Sequence, residues 1–236
     1  GTLSDEDLAE ARGKNRRIFR ELVKASTGVE LEEQRLTIGF ARRFATYKRA
    51  NLVFKDLTRL SEIGGGKIQF VFSGKAHPRD EGGKQLIRDI YGSAKHLEQE
   101  IPVAFWENYD KDTGLAITSG VDIWLNNPVR PMEASGTSGM KAAMNGVPNC
   151  SILDGWWPEG CQHGVNGWAI GESEDDRDDD RDAENIYSVL EQHVIPAWEK
   201  GGSVWANIMR SSIATSARFT GARMIAEYKR FYDAVE

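Results

Sequence analysis

The chain has 236 residues, 40% of them hydrophobic and 28% charged, and a net charge of −6. That length can bury one large core, or two small ones, with the composition of an ordinary soluble globular protein. The acidic balance argues against a nucleic-acid surface, which needs a basic face. No apolar run reaches the length of a bilayer span and no signal-peptide core stands at the N-terminus, so the expectation is a soluble, cytoplasmic chain without nucleic-acid or membrane partners. Cys150 and Cys161 have neither zinc nor redox spacing and read as reduced, buried thiols; no metal is expected. Gly1 stands where an initiator methionine would, which leaves open that the chain is a piece of something longer.

In chain order, Ser4-Asp-Glu-Asp7 reads as a capping box that opens a helix ending near Ser26-Thr27-Gly28. Leu8, Ile18, Phe19, Leu22 and Val23 share one side of it; Arg12, Arg16 and their basic neighbours read as a solvated face. Leu36–Phe40 is the first buried strand, followed by Ala41-Arg-Arg-Phe-Ala-Thr-Tyr-Lys-Arg49 and an amphipathic helix to about Leu60. The second strand is Ile68–Phe72, then Ser73-Gly-Lys75 and a helix over about Asp80 to Tyr91. Val103–Trp106 is the third, with Glu107 and Tyr109 at its end and a helix capped by Asp112.

Val121–Leu125 is the fourth strand. It leads through Asn126-Asn-Pro-Val-Arg-Pro131 into Glu133-Ala-Ser-Gly-Thr-Ser-Gly-Met-Lys141 and a helix ending near Gly146. Asn149–Leu153 and the end of Gly164–Ile170 supply two further strands. An acidic run follows and is read as a surface loop over 172–184; helices from about Ala183 complete the chain.

Strands alternating with helices predict an α/β fold: a Rossmann-like parallel sheet with helices on both faces, plus C-terminal helices. Ligands of such sheets bind at the C-terminal strand ends, where Arg42, Arg43 and Lys48, Ser73–Lys75, Glu107 with Tyr109, and Glu133–Lys141 all fall. The small residues before the fifth helix leave backbone N–H groups open to an anion, with Lys141 about one turn beyond Thr137. Arg43 and Lys48 suit phosphate oxygens, and Glu133, acceptor-only when ionised, suits sugar hydroxyls. Phosphoryl or glycosyl chemistry on a sugar is the expectation. His77, His163 and Trp156-Trp157 read as structural.

Asn126–Lys141 resembles the pyridoxal-phosphate segment of the α-glucan phosphorylases, in their shorter bacterial and archaeal form. Gly39–Arg49, Phe72–Pro78 and Glu107-Asn-Tyr109 fit the same family in the same order, so that the resemblance covers about Leu36 to Gly171. It implies the C-terminal half of a GT-B type glycosyltransferase: residues 1–236 as one domain of a longer two-domain enzyme, with the N-terminal domain absent. It implies that α-1,4-glucan and inorganic phosphate give α-glucose 1-phosphate with retention, and that the chain alone is inactive. Lys141 matches the lysine that holds pyridoxal 5'-phosphate as a Schiff base. Thr137, Ser138 and Arg42 would bind the cofactor phosphate; Arg43 and Lys48 the substrate phosphate; Glu133, Ala134, Ser135, Gly136 and Tyr47 the glucosyl unit. Arg43, Lys48 and Lys141 are thus the catalytic candidates.

Ala45-Thr46 departs from the His-Glu usual in the family's basic loop. A nucleotide-sugar glucosyltransferase of the glycogen synthase type is the alternative. It typically carries glutamate at the eighth position after the first, where this chain has Lys141. A non-catalytic sugar-binding domain is the other. Oligomeric state, a homo-oligomer included, is left open.

Overall fold

Helix α1 (Asp5–Thr27) starts where Ser4 and Asp7 close a reciprocal capping box and stops at Gly28 in the left-handed region, φ 75°. The computed structural model describes residues 4–172 and 177–234. Helix α1 buries Leu8, Phe19 and Val23. It also buries Arg12, which the basic pattern had placed on a solvated face. Arg12 donates to the carbonyls of Ser119 and of Val121, the latter at 2.6 Å, and lies 3.5 Å from Asp122. Ile18 and Leu22 are exposed instead.

The strands are β1 (Leu36–Ala41), β2 (Ile68–Ser73), β3 (Val103–Trp106), β4 (Ile123–Asn126), β5 (Asn149–Ile152) and β6 (Gly167–Ile170). All pairings are parallel, in the order β3-β2-β1-β4-β5-β6. This is the Rossmann order, as expected. Every residue of β1 and β2 is buried, so these strands read as near-continuous apolar runs. Their alternate residues serve two cores. Ile38, Phe40, Phe70, Phe72 and Ile123 face one; Ala41, Val71, Ala104 and Trp124 face the other, against Phe19, Val23 and Ile117.

The helices are α2 (Leu57–Gly64), α3 (Glu81–Leu97), α4 (Lys111–Gly120), α5 (Thr137–Met144), the short α6 (Trp157–Gly160), α7 (Asp179–Val189), α8 (Ile195–Lys200), α9 (Gly202–Ser216) and α10 (Gly221–Asp233). A π-helical turn, Leu190–Val194, joins α7 to α8. Among the described residues no helix is long and apolar enough to cross a membrane.

Three boundaries differ from expectation for local reasons. Phe44 forms a parallel bridge with Ala76 and packs its ring on Phe40 and Phe105. The chain therefore cannot turn helical directly after β1, and makes two 3-10 turns, Thr46–Lys48 and Leu52–Phe54, before α2. Asp110, not Asp112, caps α4 through the Thr113 N–H. Asp178 accepts from the N–H groups of Asp180 and Arg181, so α7 begins at Asp179 rather than near Ala183. The part of the acidic run from Asp179 onward is thus helix, whose first-turn carboxylates complement the dipole. Residues 173–176 of the run lie outside the described residues.

Candidate functional site

Strand order reverses between β1 and β4: β1 continues to β2 on one side, β4 to β5 on the other. The loops leaving these two adjacent strands separate and frame a crevice at the carboxyl edge of the sheet. There a cleft of about 720 Å³ lies between the β1 loop, the α5 turn and the start of α4. Its walls carry Arg42, Arg43, Lys48, Lys111 and Lys141 against only two carboxylates, Asp110 and Glu133. In a chain of net charge −6, that concentration of cations marks a site for anions.

The first wall is the β1 loop. Gly74 lets the β2 loop approach it closely, since a Cβ there would collide with the Arg42 carbonyl and the Phe44 ring. Ser73-Gly-Lys75 therefore supports the β1 loop and does not line the cleft, contrary to the expectation that four strand ends share the site. Glu107 also stays outside, accepting from the Tyr91 hydroxyl at 2.9 Å. Arg42 is buried and donates to Asn126 Oδ1 and, at 2.9 Å, to Glu133 Oε2. Burial lowers its pKa from the ordinary value and the Glu133 charge opposes this; a guanidinium stays protonated regardless. Lys48, also buried, donates to the same Glu133 oxygen and lies over the Tyr47 ring, 4.5 Å from its centroid. Arg43 is exposed, without an ion pair or hydrogen bond among the described residues.

The second wall is the turn into α5. Gly136 precedes the helix with φ 80° and no side chain caps it; Gly139 N–H donates to the Gly136 carbonyl at 3.0 Å, while the N–H groups of Thr137 and Ser138 have no partner among the described residues. Ser138 Oγ is buried without a hydrogen-bond partner among the described residues. An orphaned hydroxyl beside uncapped N–H groups fits a bound oxyanion, because such a group otherwise carries a desolvation cost. Lys141 is exposed and lines the same cleft. Glu133 is fixed from behind: its N–H donates to Asp154 Oδ2 at 2.9 Å. Its Oε2 takes both cations, while Oε1 has no partner among the described residues.

Of the residues singled out from sequence, Arg42, Arg43, Tyr47, Lys48, Glu133, Ser135, Gly136, Thr137, Ser138 and Lys141 all line this cleft. Ala134 is exposed on the same turn but is not on the cleft wall. Sequence reasoning missed Asp110, Lys111 and Thr118 from α4 and its lead-in, and Asn145 at the end of α5. It also missed Asn126 as the partner of Arg42; the only signal was its position at the end of a strand. Tyr109 is half-buried on the α4 side, and burial raises its pKa against the lowering effect of Arg42.

The other tempting residues are structural. Trp156 and Trp157 pack together at 5.1 Å, and Trp157 donates to the Trp168 carbonyl at 3.2 Å. His163 Nδ1 accepts from the Ala169 N–H, and His77 Nδ1 from that of Arg79. Cys150 is buried and Cys161 half-buried, both free thiols; burial pushes the Cys161 thiol up to about 11. No group of three or more metal-ligating side chains occurs among the described residues.

The family model described as carbohydrate phosphorylase matches residues 3–159. A maltodextrin phosphorylase of Thermococcus litoralis is 46% identical over 98% of this chain and 30% of its own length. A glycogen phosphorylase of Aquifex aeolicus is 46% identical over 88% of this chain and 32% of its own length. One of Mycobacterium tuberculosis is 41% identical over 84% of the chain and 24% of its length. The chain thus spans less than a third of the length of each of these relatives.

Proposed function

This chain belongs to the carbohydrate phosphorylase family, and we propose that it is the C-terminal, pyridoxal-phosphate-bearing domain of an α-1,4-glucan phosphorylase. The reaction assigned is glucan plus inorganic phosphate giving α-glucose 1-phosphate with retention. One observation carries the proposal. Exposed Lys141 and the orphaned Ser138 hydroxyl on α5 share a cleft with Arg42, Arg43 and Lys48. Oxyanion donors, a lysine and a carboxylate with one open oxygen are together what a cofactor phosphate, a substrate phosphate and a sugar require.

The cofactor, when bound, supplies a phosphate group that exchanges a proton with the substrate phosphate. The chain's own residues do the rest. Lys141 holds the cofactor. Thr137, Ser138 and the first N–H groups of α5 receive its phosphate, with Arg42 adding charge from below. Arg43 and Lys48 take the substrate phosphate. Arg42 and Lys48 anchor Glu133 by Oε2, which leaves Oε1 to accept a glucosyl hydroxyl, with Ser135, Gly136 and Tyr47 beside it and Ala134 further out on the turn. Cations fixed before substrate arrives stabilise developing negative charge without reorganising, and both reactants are held in register.

The chain spans less than a third of the length of these relatives, so turnover is assigned to the longer protein and cofactor binding to this chain. Borohydride reduction of the chain incubated with pyridoxal 5'-phosphate, followed by peptide mass mapping, is the test. A pyridoxyl adduct on Lys141, absent from Lys141→Ala, is the expected result. An unmodified Lys141 at saturating cofactor sinks the assignment.

A further inference from the structure

We propose that Arg49, held by Asp179 and Asp182 of α7, is the positioning residue for Lys48, so that part of the acidic run serves the phosphate site; this rests on Lys48 being a phosphate ligand. Arg49 is 2% exposed and each of its three guanidinium nitrogens has a partner. Nε donates to the Asn127 carbonyl at 3.0 Å and Nη2 to that of Pro128 at 2.8 Å. Nη1 pairs with Asp179 at 2.9 Å and Asp182 at 2.7 Å. The Arg49 carbonyl accepts from Asn127 Nδ2 at 2.7 Å, so side chain and backbone are pinned to one loop.

The backbone shows what this pinning achieves. Arg49 has φ 47° and ψ 48°, the left-handed region, which is disfavoured for a residue with a Cβ. Such a conformation persists only where its surroundings determine it, and it gathers at functional sites. Here it ends the 3-10 turn so that Lys48 reaches Glu133 in the cleft while the next side chain reaches α7. A second stitch, Val129 N–H to the Tyr47 carbonyl at 2.7 Å, holds the same two loops together.

The carboxylates favour the first turn of α7 through its dipole, but the N-terminal cap does not depend on them. Asp178 already caps α7. Arg177, 2.8 Å from Asp179, and Arg181, 4.0 Å from Asp182, brace the pair from the solvent side. A buried guanidinium stripped of its counter-charges is strongly destabilised where it stands. The left-handed turn then relaxes, and Lys48 loses its aim.

The test is calorimetric titration of inorganic phosphate into the cofactor-loaded chain, well below its melting temperature. Asp179→Asn/Asp182→Asn should weaken phosphate roughly tenfold, within the hundredfold that a misplacement of about 1 Å costs. Arg49→Lys should do the same, since one ammonium cannot reach two carbonyls and two carboxylates. Asp182→Glu should restore most of the affinity. If the double variant is poorly folded by near-ultraviolet dichroism, Asp182→Asn alone takes its place. A variant that melts lower but binds phosphate as wild type does refutes positioning. Arg43→Ala separates this from the underlying reading. If wild type binds no phosphate, or Arg43→Ala binds it equally well, the reading of the site fails; if Arg43→Ala weakens binding and the aspartate variants do not, only the positioning role fails.

Discussion

Replacing Glu133 by glutamine should destabilise the chain and make its stability depend strongly on phosphate. Glu133, Arg42 and Lys48 have side chains 7%, 9% and 8% exposed, and both cations meet one carboxylate oxygen. Glutamine keeps the shape and an acceptor but leaves two buried cations without a counter-charge. Breaking a buried pair in this way costs about 3–5 kcal/mol. The cleft is open on one side and Asn126 still accepts from Arg42, so the lower end, about 3 kcal/mol, is expected. For a chain of this size that is a fall in melting temperature of roughly 6–12 °C. Phosphate at about 100 times its dissociation constant returns about 2.7 kcal/mol. In wild type the anion competes with Glu133 for Lys48, so the same concentration stabilises it less. Thermal melts of both proteins across a phosphate series at constant ionic strength read this out. Equal melting temperatures without phosphate, or equal gains with it, would refute the reasoning.

Three further outcomes follow from particular contacts. Ser138→Ala removes a buried hydroxyl that has no partner among the described residues, so the cofactor-free chain should be as stable or up to about 1 kcal/mol more stable; loss of one charge-assisted hydrogen bond should weaken pyridoxal phosphate about tenfold by fluorescence titration. Arg177 first, and then Arg49, hold the Asp179 carboxyl down to about 2 against its partial burial. The unfolded carboxyl titrates near about 3.9. The folded form therefore gains stability that is complete above about pH 4 and lost as pH falls toward about 2, worth about 1 kcal/mol after solvent screening; the urea-midpoint gap between wild type and Asp179→Asn should close over that window. Asp122→Ala strands buried Arg12, half-buried Arg16 at 2.9 Å and the Thr37 N–H at 3.0 Å, and should cost about 3–5 kcal/mol in urea denaturation.

The strands were legible because parallel strands covered on both faces are written as unbroken apolar runs. The Ser4 cap was legible because its partner, Asp7, lies within one turn. What the sequence did not disclose is which charge faces which. Arg42 and Asn126 are 84 positions apart, Lys48 and Glu133 85, and Arg12 and Asp122 110. Local period carries nothing about such pairs. It gave Arg12 a solvated face because arginine is usually exposed, and it gave Lys48 and Glu133 separate duties where they are ion-paired. The acidic run misled for the same reason: a string of aspartates resembles a solvated loop until the guanidinium that Asp179 and Asp182 serve is brought beside them.

The sheet order supplies the missing constraint. Only β1 and β4 are adjacent while their following segments diverge, so only there can two loops face each other without a crossover between them. Residues directly after β1 and those after β4 therefore had to meet, whatever their types. Given Arg42, Arg43 and Lys48 on one loop, the opposing loop needs a carboxylate to keep buried cations folded before any ligand arrives, and Glu133 is that carboxylate. Its double load explains why its backbone is held from behind by Asp154. A carboxylate that must both neutralise two cations and offer its second oxygen to a ligand cannot be free to turn. Asp154→Ala should consequently loosen the sugar side of the cleft while leaving Lys141 reactive toward pyridoxal phosphate, a separation that reduction and mass mapping of the variant, set beside its glucose 1-phosphate affinity, would reveal.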